Sequence, residues 1–556
     1  MATSTVTTTK LPWQEIALTV QKRRDESIAH VKPPVPDVPA DLPRNVTGIP
    51  KKLLTEREVE ITETAPEQLI TSLAAGKLTA TEVTNAFLRR AGLAQKLVNC
   101  VTDLLPERSL ARANYLDEYY AKNKKPIGPL HGIPISVKEY VGMKGLDTNA
   151  GFVSWVGKTQ DDDANILKIL WDAGAVFHAR TTQPQTLMHL ESSTNLYGAT
   201  VNPYNTTLTA GGSSGGEGAL IGIRGSCLGI GTDIGGSIRS PAANNGLYGL
   251  RPTSYRLPLR GCVSPMPGSE HIVAVIGPLS TTLEGVKVFM KTIIDTKPWL
   301  IEPSLLPFEW KPPPPIKKLK VAILWSDGVV KPHPPIIRAL KDVAEKLKSA
   351  GVEVVDWKPY KHDLAWEIIA SLYFSDGGAL EASAIDASSE PWRPLSTFIL
   401  KENPHVSTHT IHTLWQQTSQ REKYRADYAA LWNSTATGTD IEGQPTGMVD
   451  VILCPTGPGA APPLDCARYW GYTSQWNLLD YPSLVFPHSQ VDPTVDVKED
   501  GYKPLNEQDE YNYNLYEPEL YRDAPVSLQL VARRYEDEKV IAAAEYILSK
   551  TGPPKV

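Results

Sequence analysis

Residues 210–239 read A-G-G-S-S-G-G-E-G-A-L-I-G-I-R-G-S-C-L-G-I-G-T-D-I-G-G-S-I-R, and this stretch governs how the rest of the chain is interpreted. It contains two glycine-rich loops, 211–216 and 235–237, whose serines Ser213 and Ser237 are 24 positions apart. Glycine in a helix or strand costs about 0.5–1 kcal/mol relative to alanine, because it loses more chain entropy on folding. Such loops are therefore typical of places where the backbone approaches a phosphate, a reacting carbonyl or a tightly packed neighbour.

The 556-residue chain has the composition of a soluble globular protein, with 41% hydrophobic and 21% charged residues. Its net charge of −6, without a run of like charges, provides no basic surface for nucleic acid. The five cysteines are scattered without C-x-x-C spacing, so neither a disulfide framework nor a zinc site is indicated. The N-terminus lacks the apolar region of a secretory signal, and no uninterrupted apolar stretch is long enough for a membrane span. We therefore expect a cytoplasmic protein without a membrane span and without a nucleic-acid partner.

Helix signals organise the first part of the chain. Apolar positions in 13–30 predict a helix on the body of the protein, with a membrane-surface or dimer-contact helix as the alternative. A proline-rich connector over 31–50 follows it. Capping boxes T-A-P-E and T-A-T-E, and a third apolar pattern, predict helices over 64–76, 79–98 and 107–122.

Strand signals begin at a short apolar segment. Ile133, Ile135 and Val137 alternate with other residues, the period-two pattern of a strand with one buried face. Lys138 then lies at the C-terminal end of that strand and faces away from the apolar row. Later segments alternate in the manner of α/β layering and are predicted as a helix from Asp163 to Ala173, strands over 175–179 and 228–233, a turn over 246–252, a strand–helix–strand unit over 321–324, 335–350 and 352–355, strands over 449–454 and 527–531, and a closing helix over 537–550.

Two familiar uses of glycine loops fit this sequence poorly. A phosphate-binding loop requires a lysine followed by serine or threonine, or a G-x-G-x-x-G directly after a strand, and neither occurs. The letters G-G-S-S-G at 211–215 match the G-x-S-x-G of α/β-hydrolases, but that motif needs a buried strand before it. Here a polar, turn-like stretch precedes it, and the second loop would have no role.

A third interpretation explains both loops together with Lys138. If 228–233 is a strand and a helix starts at Ser237, the backbone amides just before that serine converge on one developing negative oxygen, as in an oxyanion hole. A serine nucleophile also needs a base, and no histidine stands in a comparable setting. A lysine at a buried strand end can serve, because desolvation favours its neutral form. Ser213 would then bridge base and nucleophile.

Three motifs carry a resemblance to a known family: P-I-S-V-K-E at 134–139, G-G-S-S-G-G-E-G at 211–218 and G-T-D-I-G-G-S-I-R at 231–239. Together they resemble the amidase signature family. The resemblance covers nearly the whole chain, and within the family the sequence most resembles the fungal acetamidase branch. It implies a three-layer α/β/α fold with a large, mixed, mostly parallel twisted central sheet covered by helices. It also implies that 1–50 pack as helix and connector on a single domain over 51–556, whose signature core is about 130–255.

The resemblance also implies the catalytic roles. Ser237 would be the acyl nucleophile, Ser213 the proton relay, with a cis peptide bond to Gly212, and Lys138 the general base. The remaining implied residues are the oxyanion-hole amides of Ile234, Gly235, Gly236 and Ser237, and the supporting side chains of Ser214, Asp233 and Arg239. No cofactor or metal is needed, and a homodimer is the implied assembly.

A substrate pocket is predicted less directly. Its candidate residues are Leu187, Met188, Gly211, Gly212, Ser240, Tyr472 and Trp476. This chain has the run P-Q-T-L-M at 184–188, followed by H-L-E-S-S at 189–193. Some acetamidases have a cysteine–glutamate pair after the same run. This departure argues against simply transferring acetamide specificity.

We therefore expect a serine hydrolase that converts small aliphatic or aryl amides to acid and amine or ammonia, using water. A carbamate (urethane) or ester hydrolase of the same family is the alternative. An amidotransferase subunit would need partner chains and a basic surface, which the net charge of −6 disfavours. An inactive amidase-like binding protein is disfavoured by the presence of Lys138, Ser213 and Ser237.

Overall fold

The structure is a computed structural model that describes residues 12–556. Its helices are α1 Trp13–Ala29, α2 Ile49–Leu53, α3 Glu56–Glu63, α4 Pro66–Ala74, α5 Ala80–Val98, α6 Pro106–Asn123, α7 Asn165–Asp172, α8 Gly215–Gly222, α9 Arg239–Asn244, α10 Leu283–Ile294, α11 Pro334–Ser349, α12 His362–Tyr373, α13 Ala379–Asp386, α14 Pro394–Thr397, α15 Ile411–Asn433, α16 Gly471–Leu479, α17 Glu507–Leu515 and α18 Asp537–Thr551. Two 3-10 turns, Val153–Trp155 and Pro298–Leu300, and a π-helical turn, Phe398–Glu402, complete the helical elements of this range.

The strands of the same range are β1 Val101–Leu104, β2 Pro134–Lys138, β3 Val176–Thr181, β4 Ser193–Thr194, β5 Gly198–Ala199, β6 Val201–Asn202, β7 Asn205–Thr209, β8 Leu228–Asp233, β9 Tyr248–Arg251, β10 Val275–Ser280, β11 Lys320–Ile323, β12 Glu353–Asp356, β13 Gly438–Thr439, β14 Pro445–Thr446, β15 Val451–Pro455, β16 Ser483–Gln490 and β17 Pro525–Val531. Eleven of these strands form one sheet in the order β1-β3-β2-β8-β10-β9-β16-β17-β15-β11-β12. The other six form three short two-stranded pairs.

The large sheet is mixed, and its parallel pairs lie on its two flanks. β3, β2 and β8 are parallel on one side, and β15, β11 and β12 on the other. The six remaining neighbour pairs are antiparallel, which is more than the sequence patterns indicated. Four of these six arise because β10 is inserted between β8 and β9, and β17 between β16 and β15. The predicted α/β fold with a large mixed central sheet is confirmed.

Three central strands were not anticipated, for a local reason. β10 contains a Gly-Pro pair at Gly277 and Pro278, and β16 contains Pro487, and proline normally argues against an interior strand because it lacks an N–H donor. The predicted turn over 246–252 is wrong, because its centre forms β9. Long-range pairing with strands distant in sequence overrides these local signals.

The predicted helices of the first third are present, but two of their start signals differ. The Thr64 side chain does not cap α4, whose N-cap is Ala65. The capping box lies instead at Thr55 and Glu58, before α3, where side chain and backbone bond reciprocally. Asp163 likewise does not cap α7 but accepts a hydrogen bond from the Lys144 backbone N–H at 2.7 Å. A cap is fixed by backbone dihedrals at one position, which spacing alone locates only approximately.

The N-terminal helix α1 lies against the body of the protein. Its buried residues Ala17 and Val20 form an apolar cluster with Val153, Leu196 and Tyr197. Within residues 12–556 no helix is both long and apolar enough to cross a membrane.

Candidate active site

The candidate base lies at the end of β2. All five residues of this strand are buried, and Lys138, the last of them, has no exposed surface. Its Nζ donates hydrogen bonds to Ser213 Oγ at 2.7 Å and to Thr232 Oγ1 at 2.9 Å. The Lys138 amine at the end of β2 is thereby hydrogen bonded to the first glycine loop and to the neighbouring strand β8.

The surroundings of Lys138 favour its neutral form. Burial is the main cause that lowers its pKa from the ordinary 10.5 to about 7, while Asp233, Cys262 and Glu217 act in the opposite direction. Desolvation outweighs the effect of these neighbouring groups because the amine has no surface in contact with water. Near neutral pH a substantial fraction of Lys138 is therefore a free amine, which can accept a proton.

The first glycine loop presents Ser213 through a backbone that leaves no room for side chains. The peptide bond between Gly212 and Ser213 is cis, as the resemblance implied. A Cβ added to Gly212 would lie 2.3 Å from the Glu191 backbone oxygen, so only glycine fits at this position. The next residue joins the two loops, because the Ser214 backbone N–H donates to the Ser237 carbonyl at 3.1 Å. Ser214 Oγ also accepts from the Thr232 N–H at 3.2 Å.

The second glycine loop connects β8 to α9 and contains Ser237. Gly236 has a φ of +137°, a backbone conformation that favours glycine. Its N–H donates to Asp233 Oδ1 at 2.9 Å, so this amide already has an acceptor. The N–H groups of Ile234, Gly235 and Ser237 have no acceptor among residues 12–556. Three of the four amides expected to form an oxyanion hole are thus free to bind a ligand oxygen, and the fourth is held by a side chain.

Two distant side chains orient the peptide planes of this loop. Tyr373 on α12 donates its hydroxyl to the Ile234 carbonyl at 2.8 Å, and Thr473 on α16 donates to the Gly235 carbonyl at 2.7 Å. Because a peptide unit is planar, fixing the Ile234 carbonyl also fixes the N–H of Gly235 on the opposite side. The direction of a candidate oxyanion-hole donor is therefore set from outside the loop.

Asp233 and Arg239 form a buried ion pair beneath the loop. Arg239 Nη2 lies 3.0 Å from Asp233 Oδ1, and neither side chain is exposed. Arg239 and the Asn477 amide, which donates to Asp233 Oδ1 at 2.9 Å, hold the pKa of this carboxyl well below its usual range even though burial acts in the opposite direction. The same carboxylate accepts from the backbone N–H groups of Gly236 and Ile238, so it acts as the internal support of the turn.

Ser237, the candidate nucleophile, is 3% exposed, and its hydroxyl forms no hydrogen bond within residues 12–556. In particular, the hydroxyls of Ser213 and Ser237 are not hydrogen bonded to each other. Catalytic hydrogen bonds are often long without substrate and tighten in the complex. The structure thus brings Lys138, Ser213 and the two loops together, with the second serine unengaged.

The residues predicted to line the pocket have different surroundings in the structure. Leu187 has a φ of +63° and is nearly buried, as is Met188 beside it. A Cβ on Gly211 would lie 2.9 Å from Pro241, so this glycine is needed for packing of the first loop on α9. Ser240 lines a cavity of about 60 Å³ next to α9.

The two aromatic pocket candidates are packed in the interior. The Tyr472 hydroxyl donates to the Val330 carbonyl at 2.5 Å, and the Trp476 ring packs edge-on against Tyr428 with 6.1 Å between centroids. The aromatic ring of this segment that reaches the second loop belongs to Trp470. A Cβ on Gly235 would lie 2.7 Å from its Cζ3 atom.

Sequence reasoning missed several side chains that complete the site. Thr232, which bonds Lys138, precedes Asp233 within the third motif and could have been found from its place on β8. Tyr373, Thr473 and Asn477 are 139, 238 and 244 residues from the groups they bond, and no local signal marks them. Glu217 is part of the motif in the first loop, but its position beside Lys138 became visible only in the fold.

Comparisons with known proteins find similar proteins over nearly the whole chain. A family model described as Amidase matches residues 82–541. A putative amidase of Schizosaccharomyces pombe is 46% identical over 97% of this chain and 99% of its own length. An acetamidase of Emericella nidulans is 40% identical over 96% of this chain and 97% of its own. A solved structure described as a fatty acid amide hydrolase superposes with a TM-score of 0.90 at 36% identity, covering 97% of this chain and 95% of that one.

The glycine–serine loops, the buried lysine and these full-length similarities lead to the same conclusion. The chain belongs to the amidase signature family, and it is a hydrolase of carbon–nitrogen bonds other than peptide bonds.

Proposed function

We propose that the protein hydrolyses small aliphatic or aryl carboxylic amides through a Ser–Ser–Lys triad and an acyl-enzyme. The observation that carries this proposal is the hydrogen bond of 2.7 Å between the fully buried Lys138 Nζ and Ser213 Oγ, in a loop tied to the Ser237 backbone. A buried amine with a lowered pKa, next to a hydroxyl in a site with free backbone amides, is what serine activation without histidine requires.

Acylation begins with proton transfer to the amine. Neutral Lys138 takes the proton of Ser213, Ser213 takes the proton of Ser237, and Ser237 Oγ attacks the amide carbonyl carbon. The new C–O bond forms as the carbonyl π electrons move onto oxygen. The N–H groups of Ile234, Gly235 and Ser237 donate to this oxyanion, while Gly236 remains bonded to Asp233.

The same relay then returns the proton. The Lys138 ammonium protonates Ser213, and Ser213 protonates the leaving nitrogen as the C–N bond breaks, because an amine does not depart as an anion. Water next attacks the acyl-enzyme and gives its proton to Lys138 through Ser213. Collapse of the second tetrahedral intermediate releases the acid and restores the Ser237 hydroxyl with that proton.

The substrate class rests on the relatives rather than on the pocket. Acetamidases of Emericella nidulans and Aspergillus oryzae, at 40% and 38% identity, support a small amide. Carbamates and esters are the second candidate class, because their acylation uses the same nucleophile and the same oxyanion donors. The segment 189–193 departs from the acetamidase pattern, and its Glu191 backbone packs against Gly212 in the first glycine loop. This contact gives a structural reason to test both classes.

The test is a substrate panel with purified full-length protein. Aliphatic amides, anilides, ethyl carbamate and p-nitrophenyl esters are compared for release of ammonia, amine or phenol. We expect amide turnover, and labelling of Ser237 by a fluorophosphonate. Ser237→Ala abolishes both, whereas the control Ser434→Ala, at an exposed helix end, retains both. Full activity of Ser237→Ala would show that another residue is the nucleophile.

Three further expectations accompany this function. The division into 1–50 and 51–556, a cytoplasmic location and a homodimer stay predictions. Light scattering of the purified protein measures its assembly, and a mass of twice 60.9 kDa would support the homodimer.

A further inference from the structure

A buried carboxyl group lies close enough to the candidate base to act on it electrostatically. Glu217 belongs to α8, which follows the first glycine loop, and it has no exposed surface. Its Oε2 is hydrogen bonded to Ser136 Oγ at 2.5 Å and its Oε1 to Thr181 Oγ1 at 2.7 Å, and a hydroxyl can either donate to a carboxyl oxygen or accept the proton of a carboxylic acid. Ser136 lies two residues before Lys138 on β2, and Thr181 is the last residue of β3. The carboxyl group therefore connects the middle of β2 to the end of the adjacent parallel strand β3.

A third strand leaves space for this group. A Cβ on Gly229 of β8 would lie 1.9 Å from Glu217 Oε2, so a side chain there would exclude the carboxyl group. β2 pairs with both β3 and β8, and its register against β3 shifts between Ile135 and Ser136. The hydrogen bond to Ser136 thus holds β2 at the point where the pairing is irregular, two residues before Lys138.

The partners of Glu217 are neutral. Among residues 12–556 it forms no ion pair, and both Lys138 hydrogen bonds go elsewhere, to Ser213 and Thr232. A carboxylate buried without a countercharge is costly, and such a group keeps its proton instead. Burial raises the pKa of Glu217 to about 8, although the two hydroxyls and Lys138 act to lower it.

We propose that Glu217 is a neutral carboxylic acid in the working enzyme and is the positioning residue that holds the end of β2, so that Lys138 remains a neutral base. This inference rests on the proposed function, because it concerns the residue proposed there as general base. The alternatives for Lys138 and Glu217 are an amine with an acid or an ammonium with a carboxylate. The two groups are not hydrogen bonded to each other, so burial penalises each charge separately and the uncharged forms are favoured.

The other titratable groups around the pair are consistent with this arrangement. Those that act on Lys138 are Asp233, which Arg239 neutralises, and the Cys262 thiol, whose pKa burial raises. Beside Glu217 lies the Cys100 thiol, whose pKa burial also raises. Near neutral pH neither thiol carries a charge, and the buried carboxyl of Glu139, next to Lys138 in the chain, faces Arg180 at 3.8 Å. Among these groups a Glu217 carboxylate would be the anion without a cationic partner.

Infrared difference spectroscopy tests the protonation state without using activity. The spectrum of wild type minus that of Glu217→Gln at neutral pH is expected to show the C=O stretch of one protonated carboxyl group. Other buried acids are present in both proteins and cancel. A difference spectrum with carboxylate bands alone would overturn the proposal. If Glu217→Gln does not fold, Thr181→Val removes one hydrogen bond from the same carboxyl group. The C=O stretch of the protonated carboxyl group is then expected to shift in frequency. An unchanged spectrum in that region would equally overturn the proposal.

Kinetics test the positioning role. Glu217→Gln keeps a neutral group of the same shape, so the acid limb of kcat/KM stays where it is in the wild type and kcat falls by no more than about tenfold. Glu217→Ala releases the end of β2, and kcat falls on the order of 100-fold with little change in KM, because a displaced base loses that much. An acid limb that moves down by about one pH unit or more in Glu217→Gln would show that a charge had been removed, and would overturn the proposal.

The two proposals fail in different ways. Full activity of Ser237→Ala would remove the proposed function but leave the infrared band of Glu217 in place. Absence of that band, with Ser237→Ala inactive, would remove this inference and leave the triad.

Discussion

Lys138 Nζ and Ser213 Oγ are 2.7 Å apart, although 75 residues separate them in the chain, and both side chains are almost wholly buried. The strand β2 delivers the amine and the first glycine loop delivers the hydroxyl. Their contact links a group whose pKa is lowered by burial to the loop that lies against Ser237.

The pH dependence of kcat/KM should show an acid limb near the pKa of about 7 of Lys138. The neutral amine is the active form, so activity rises as pH increases through this value and then levels off. Asp233 contributes no limb near neutral pH, because Arg239 keeps it ionised. The measurement is a full pH profile with an amide whose own charge does not change. Activity that decreases as pH rises through the same range would contradict a neutral lysine base.

Lys138→Ala should lose more amidase than esterase activity when the ester has a good leaving group. An amine must be protonated to depart, whereas p-nitrophenolate leaves without a proton. General acid–base catalysis contributes about 100- to 10,000-fold, so the amide rate falls within that range and the ester rate falls less. The matched control is Lys168→Ala on α7, a half-exposed lysine paired with Asp162. Equal losses for both substrates would contradict proton delivery by Lys138.

Tyr373→Phe should lower kcat and leave KM nearly unchanged. The variant removes the hydroxyl that bonds the Ile234 carbonyl, so the Gly235 N–H loses its fixed direction. Loss of a direct oxyanion donor costs about 100- to 1,000-fold in kcat, and loss of this indirect support should cost less than that. Tyr513→Phe, whose exposed hydroxyl bonds the Glu499 carbonyl, is the control. A rise in KM at constant kcat would show that Tyr373 acts in substrate binding instead.

Asp233→Asn should destabilise the protein and inactivate it. The change leaves the buried Arg239 without its countercharge, which costs about 3–5 kcal/mol in the free energy of unfolding. Denaturant midpoints of the variant and wild type measure this effect. Glu26→Gln removes the exposed partner of Lys22 and should cost at most about 1 kcal/mol. Similar midpoints for both variants would show that the buried pair does not stabilise the turn.

The sequence alone determined the parts of this protein that lie within single segments. Lys138 at a strand end, Ser213 in the first glycine loop and Ser237 in the second were all located from residue types and spacing, since such tight turns need glycine locally. The helices over 13–30, 79–98 and 107–122 also came from local patterns, because helix hydrogen bonds join residues close in sequence.

Only the tertiary structure decided what depends on contacts between distant segments. β9, β10 and β16 became central strands by pairing with remote partners, despite local glycine and proline. Tyr373 and Thr473 came to the second loop from two different helices, and Gly236 proved to be bonded to Asp233 rather than free. The sequence predicted that burial would favour a neutral Lys138, but how completely this amine is buried was decided by the fold. The lowered pKa of Lys138 follows from complete burial, which the packed sheet and helices produce together.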